Sequence, residues 1–144
     1  MLFSEASGRK IVSTSTAETV GHIADFVIDP RTHSLVALTV KRTDQGDTLL
    51  WARITAFGAD AVTVTAAEVI IDANEAVAAL SGKDRRLIGK RVLNTDGEDL
   101  GTVADVDFDP KKGRLTTLAL ATGGIAGERL IAIGSYAAVV HPES

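Results

Sequence analysis

The run Val103-Ala104-Asp105-Val106-Asp107-Phe108-Asp109 alternates apolar and acidic side chains. A period of two predicts a half-buried β-strand, with Ala104, Val106 and Phe108 facing inward and Asp105, Asp107 and Asp109 facing outward. The pattern also occurs eighty positions earlier, where Ala24, Phe26 and Ile28 take the inner face and Asp25, Val27 and Asp29 the outer one. Across residues 20–40 and 100–120, seven of 21 positions are identical: Gly21/Gly101, Ala24/Ala104, Asp25/Asp105, Asp29/Asp109, Pro30/Pro110, Leu35/Leu115 and Leu38/Leu118. Identity together with a shared inward phase marks an internal repeat, which divides the chain into two modules of one kind.

Each of these strands runs into a turn. In Asp109-Pro110-Lys111-Lys112-Gly113, Asp begins the turn, Pro presets φ near −65° and Gly suits a positive φ. The first copy reads Asp29-Pro30-Arg31-Thr32-His33, so a histidine takes the glycine's place. Strands are expected at 35–40 and 115–121, then polar or Gly-rich loops at 43–47 and 122–127. Later strands are expected at 48–54, 61–65, 129–133 and 137–141. Residues 72–82 break the pattern and predict a short helix. Asp72 would be its N-cap, Glu75 the partner in a capping box and Gly82 its stop. Such a helix is too short to stand alone, so Val77 and Leu80 should dock on the β structure. The expected domains are residues 1–71, a helical linker at 72–86, and residues 87–144.

The second half resembles a PRC-barrel domain, the family that includes the cytoplasmic part of the photosynthetic reaction-centre H subunit and the C-terminal domain of the ribosome maturation factor RimM. Ile88-Gly89-Lys90-Arg91-Val92 carries the start of the resemblance, followed by the run from Asp96-Gly97 through Leu100-Gly101-Thr102-Val103 to Asp105. Asp109, Gly113, Leu115 and Leu118 complete it. The first half fits more loosely through Gly8, Ile11, Val12, Gly21, Asp25, Asp29 and Leu35. Ala17 stands where the second copy has Gly97. The resemblance implies small, strongly bent antiparallel sheets closed into barrels. The expected fold class is therefore all-β, two tandem PRC-type barrels joined by a short α-helix. The alternation and turns reach an all-β chain independently, and barrels remove sheet edges.

Composition narrows the function classes. The chain has 144 residues, so each half is about 65 residues long, a size at which a lone core is marginal. With no cysteine in the sequence, disulfides and thiolate metal sites are excluded. The halves are thus expected to pack together, to form a homodimer, or both. A net charge of −4 argues against nucleic acid as a partner. No apolar run is long enough to span a bilayer, and no leader peptide is visible, so a cytoplasmic location is expected.

The candidate chemistry is sparse. Asp105, Asp107 and Asp109 share a strand face and could form a weak cation site or dock a basic partner. A solvated face with Asp109 capping its turn is the plainer reading. The run does not fit a calcium-binding EF-hand loop, because Pro110 and Thr116 stand where Gly and Glu are required. The loop 122–127 lacks the Gly-Lys-Ser/Thr ending of a phosphate loop. His22, His33 and His141 have no neighbours at metal-ligand spacing. No nucleophile elbow is present. Arg9, Lys10, Lys83, Arg85, Arg86, Lys90, Arg91, Lys111, Lys112 and Arg114 could in part cluster on packing. Trp51 and Val27 are candidate interface residues, Trp51 packing a barrel or the junction between barrels. The expectation is a non-enzymatic structural or adaptor protein, without cofactor, that docks unidentified protein partners. The alternatives are an RNA-linked role by analogy with RimM, and small-ligand or cation binding.

Overall fold

A computed structural model describes residues 1–143. It is mainly β. A short helix, α1 (Phe3–Ala6), precedes strands β1 (Lys10–Ser13), β2 (Thr19–Asp29), β3 (Ser34–Val40), β4 (Thr48–Leu50), β5 (Ala56–Phe57), β6 (Ala61–Val64) and β7 (Ile70–Ile71). Helix α2 (Glu75–Ala79) follows, then β8 (Arg91–Asn94), β9 (Asp99–Phe108), β10 (Leu115–Leu120), β11 (Gly123–Ala126), β12 (Leu130–Ile133) and β13 (Ala138–Val140). The strands form two sheets, ordered β5-β6-β1-β2-β3-β4-β7 and β11-β10-β9-β8-β13-β12. Read from the other end, the second sheet repeats the first six positions of the first. Both include one parallel pair, β1 with β6 and β8 with β13.

The long strands β2 and β9 each serve two neighbours. Residues at the start of β2 pair with β1 and later ones with β3, and β9 does the same with β8 and β10. Register breaks fall at matching places. Val20 and Leu100 are skipped in the first ladder of each sheet. Ala24 and Ala104, then Val36 and Thr116, are skipped in the second. Such bulges bend and twist a strand. They also correct the inward phase expected from alternation. Ala24 and Ala104 are exposed, while Ile23 and Val103, one residue earlier, are buried. The extra residue resets the period, so Phe26 and Val106 return to the interior.

A single core joins the two sheets. Ile11, Ile23, Leu38, Leu49 and Val62 from the first belong to one cluster with Val92, Val106, Leu118, Leu130 and Val140 from the second. Its centre is aromatic. Phe3 stacks on Phe26 at 4.0 Å between ring centroids, and Phe108 meets Phe3, Phe26 and Phe57 at 5.6, 6.1 and 5.4 Å. All four phenylalanines of the chain are thus used at this junction. The partner that each small core needs is therefore supplied within the chain.

Several predicted elements change. The strand expected at 48–54 stops at Leu50 and continues as a 3-10 turn, Trp51–Arg53. The loop expected at 122–127 contains strand β11, paired to β10 from Thr117↔Ala126 to Leu120↔Gly123. The helix expected at 72–82 covers only Glu75–Ala79. Its cap is Asn74, whose side chain accepts from Val77 N at 2.9 Å. Asp72 instead pairs with Arg42 at 2.7 Å. Val77 and Leu80 pack, as expected, on the β structure, against Val27, Ala37, Val36 and Leu50.

Candidate functional site

Each Ala-Asp pair of the repeat has a local cause. The bulge at Ala24 or Ala104 disturbs the ladder, and the next aspartate accepts its neighbour's amide. Phe26 N donates to Asp25 Oδ1 and Val106 N to Asp105 Oδ1, both at 2.9 Å. The second carboxylate oxygen of each is then used across the junction between the halves. Ser4 Oγ donates to Asp105, and Ser4 N reaches the same carboxylate at 3.2 Å. Arg86 Nε donates to Asp25 Oδ2 at 2.5 Å. Thus the segment leading into each half crosses onto the long strand of the other. Burial pushes the Asp105 carboxyl up, but the bonds from Ser4 and Val106 more than offset this and leave it below the ordinary carboxylate range.

The remainder of the acidic row is also engaged inside the chain. The ammonium of Met1 donates to Asp107 Oδ1 at 2.7 Å and to Phe108 O at 2.9 Å. Asp109 Oδ1 accepts from Lys111 N at 2.9 Å, an Asx turn matched in the first half by Asp29 and Arg31 N at 2.9 Å. The Arg31 side chain also bonds to Asp29 and holds that carboxyl low. No group of three or more His, Cys, Asp or Glu side chains able to hold a metal ion occurs among the described residues.

The two turns meet each other. Leu35 N donates to Gly113 O and Leu115 N to His33 O, each at 2.8 Å, around a bridge between Ser34 and Arg114. Ser34 and Arg114 are equivalent positions, eighty apart, and the same shift turns one of the two hydrogen bonds into the other, so each segment gives what it receives. The turn positions themselves are left-handed in both halves, with φ of 57° at His33 and 75° at Gly113. Ala17 and Gly97 match in the same way, at 60° and 81°. Ala17 and His33 are the only non-glycine residues at positive φ among those described.

Trp51 lies across this junction. It stacks on Phe57 at 5.7 Å and covers Gly113 so closely that a Cβ there would stand 2.8 Å from Trp51 Cε2. Val27 is buried beneath α2. Both candidate interface residues are therefore engaged within the chain, Trp51 between the halves and Val27 under the linker helix.

The second half also has a sequence counterpart. Residues 82–142 match the PRC-barrel domain. No curated protein matches the chain. The PRC-barrel match contains the acidic row and Gly113, whereas Trp51, Val27 and the seven-stranded sheet lie outside it. No helix is long and apolar enough to cross a membrane.

Spatial clustering brings together residues that sequence spacing separated. His33 and His141 line one cleft of about 700 Å3 with Arg114 and Arg129, and Arg129 Nε donates to His141 O at 2.9 Å. Four of the ten basic candidates, Lys83, Arg86, Lys90 and Arg91, line a second cleft at the start of the PRC-barrel segment. Ile88 and Tyr136, the exposed large hydrophobic side chains among the described residues, line it too. Tyr136 carried no signal in the sequence, because one aromatic in a Gly-Ser-Tyr turn has no periodic context.

Proposed function

We propose that residues 1–71 and 87–144 are two copies of one PRC-type barrel, fused into a pseudo-dimer that acts as a non-catalytic adaptor for protein assembly. The reciprocal pairing of the 33–35 and 113–115 segments carries this reading. Exchange between equivalent positions is the signature of a two-fold, isologous interface. The three matched register breaks and the common strand order support the duplication independently. Fusion of two copies frees their outward faces to diverge, as Val27 and Asp107 have done.

An adaptor role is supported by where the chemistry goes. Asp105, Asp107, Asp25 and Arg86 satisfy one another's segments, and the interior is filled by aliphatic and aromatic side chains. Recognition then falls to the outer surface. The test is affinity capture with the full chain from its own cells, with and without nuclease. A protein partner recovered near equal stoichiometry after nuclease treatment supports the adaptor. Loss of every partner on nuclease treatment overturns it in favour of an RNA-linked role. Stabilisation by a divalent cation or metabolite with no protein partner overturns it in favour of ligand binding.

A further inference from the structure

The cleft at the start of the PRC-barrel segment combines two features rarely left on a surface without use. It is lined by Lys83, Arg86, Lys90 and Arg91, with Ile88, Thr102, Ser135 and Tyr136, and no carboxylate lines it. Tyr136 is 74% and Ile88 45% exposed. An exposed aromatic beside cations is the composition of a binding hot spot.

Its cations are held in distinct ways. Lys90 Nζ donates to Asp84 O at 2.9 Å and Gly134 O at 2.8 Å, which ties the 83–85 turn to the 134–136 turn and fixes the cleft's width. Arg86 and Arg91 are anchored from outside by Asp25 and Asp99. Lys83 has no carboxylate partner among the described residues, and Lys90 contacts only carbonyls. Two lysines thus keep uncompensated charge on an otherwise acidic chain.

We infer that this cleft docks an acidic, extended segment of a partner protein that inserts an apolar side chain against Ile88 and Tyr136. The inference rests on the adaptor reading and assigns it a surface. Charge complementarity selects an acidic occupant. Several observations favour a peptide over a nucleic acid. The cleft is small, about 380 Å3. It offers one aromatic rather than a row for stacking bases. Aliphatic Ile88 beside the ring suits a Leu, Ile or Phe side chain.

The test is a selection of short random peptides on the full-length chain, followed by fluorescence anisotropy with enriched peptides and with an oligouridine of similar charge. Two substitutions probe the cleft, Lys83→Glu and Tyr136→Ser, both exposed and outside the core. Enriched peptides are expected to be acidic with at least one large apolar residue. Each substitution should weaken them about tenfold, a change of roughly 1.4 kcal/mol, while the thermal midpoint stays unchanged. Basic or unenriched peptides, or both variants binding as tightly as the unaltered chain, would overturn the inference. So would an oligouridine that binds more tightly and loses affinity in the same variants, which points to nucleic acid. If the variants still capture the nuclease-resistant partner of the intact chain, the adaptor stands and this surface falls. If the intact chain captures none, the adaptor reading itself fails.

Discussion

Replacing Gly113 by alanine acts on the junction between the halves through two separable effects. The residue sits at φ 75°, where a Cβ costs roughly 1–2 kcal/mol. Alanine recovers about 0.4–1 kcal/mol of this by restricting the unfolded chain. The new methyl would also stand 2.8 Å from Trp51 Cε2. Overpacking of that kind costs about 1–3 kcal/mol. The net expected loss is about 1–4.5 kcal/mol, read by denaturant titration with the fluorescence of the single tryptophan and with circular dichroism. Gly113→Ala in a Trp51→Leu background should lose only the backbone part, about 1.5 kcal/mol or less, because the ring that the methyl strikes is gone. A loss below about 0.5 kcal/mol for Gly113→Ala alone would show that neither strain nor a clash acts at this position, and an unchanged loss in the Trp51→Leu background would refute the clash.

Ala17→Gly should stabilise the chain by about 0.5–1 kcal/mol, since it relieves a left-handed alanine at modest unfolded-state cost; a lower denaturation midpoint would contradict this. Asn74→Ala should cost about 1 kcal/mol while Asp72→Ala stays within about 0.5, because only Asn74 caps α2; the reverse ranking in denaturant melts would restore Asp72 as the cap. Asp105 has a folded pKa below its unfolded value, so its contribution is present above the ordinary carboxylate range, near pH 4, and is lost as pH falls through the folded value. The stability gap between wild type and Asp105→Asn should therefore narrow on acidification below about pH 4, and a gap that widens there would show the wrong sign.

The repeat was legible because identical residues serve identical local needs. Asp29 and Asp109 close Asx turns, and Asp25 and Asp105 each accept the amide that follows a bulge. The bulges themselves were not legible. Ala104 reads as an inward alternate position until the skipped residue moves it to the surface, and nothing in a run of valine and aspartate marks that skip. Strand β11 was hidden for a related reason. Gly123-Gly124 has turn composition, yet β10 supplies a ladder for it. The acidic row was visible, but its occupants, Met1 and Ser4, lie about a hundred residues away, beyond any spacing rule. The basic cleft was legible only as a set of scattered cations. Its closure depends on Lys90 bridging two turns that tertiary packing alone brings together.

If one fold is used twice around one shared core, the halves stabilise each other as a unit. Native-state hydrogen exchange at Leu38 and Leu118, buried at equivalent positions of β3 and β10, tests it most directly. Both amides should exchange through the same global opening, with equal free energies and equal denaturant dependence. Exchange of Leu38 through a lower-energy opening while Leu118 stays protected would contradict it, because the two halves would then unfold independently.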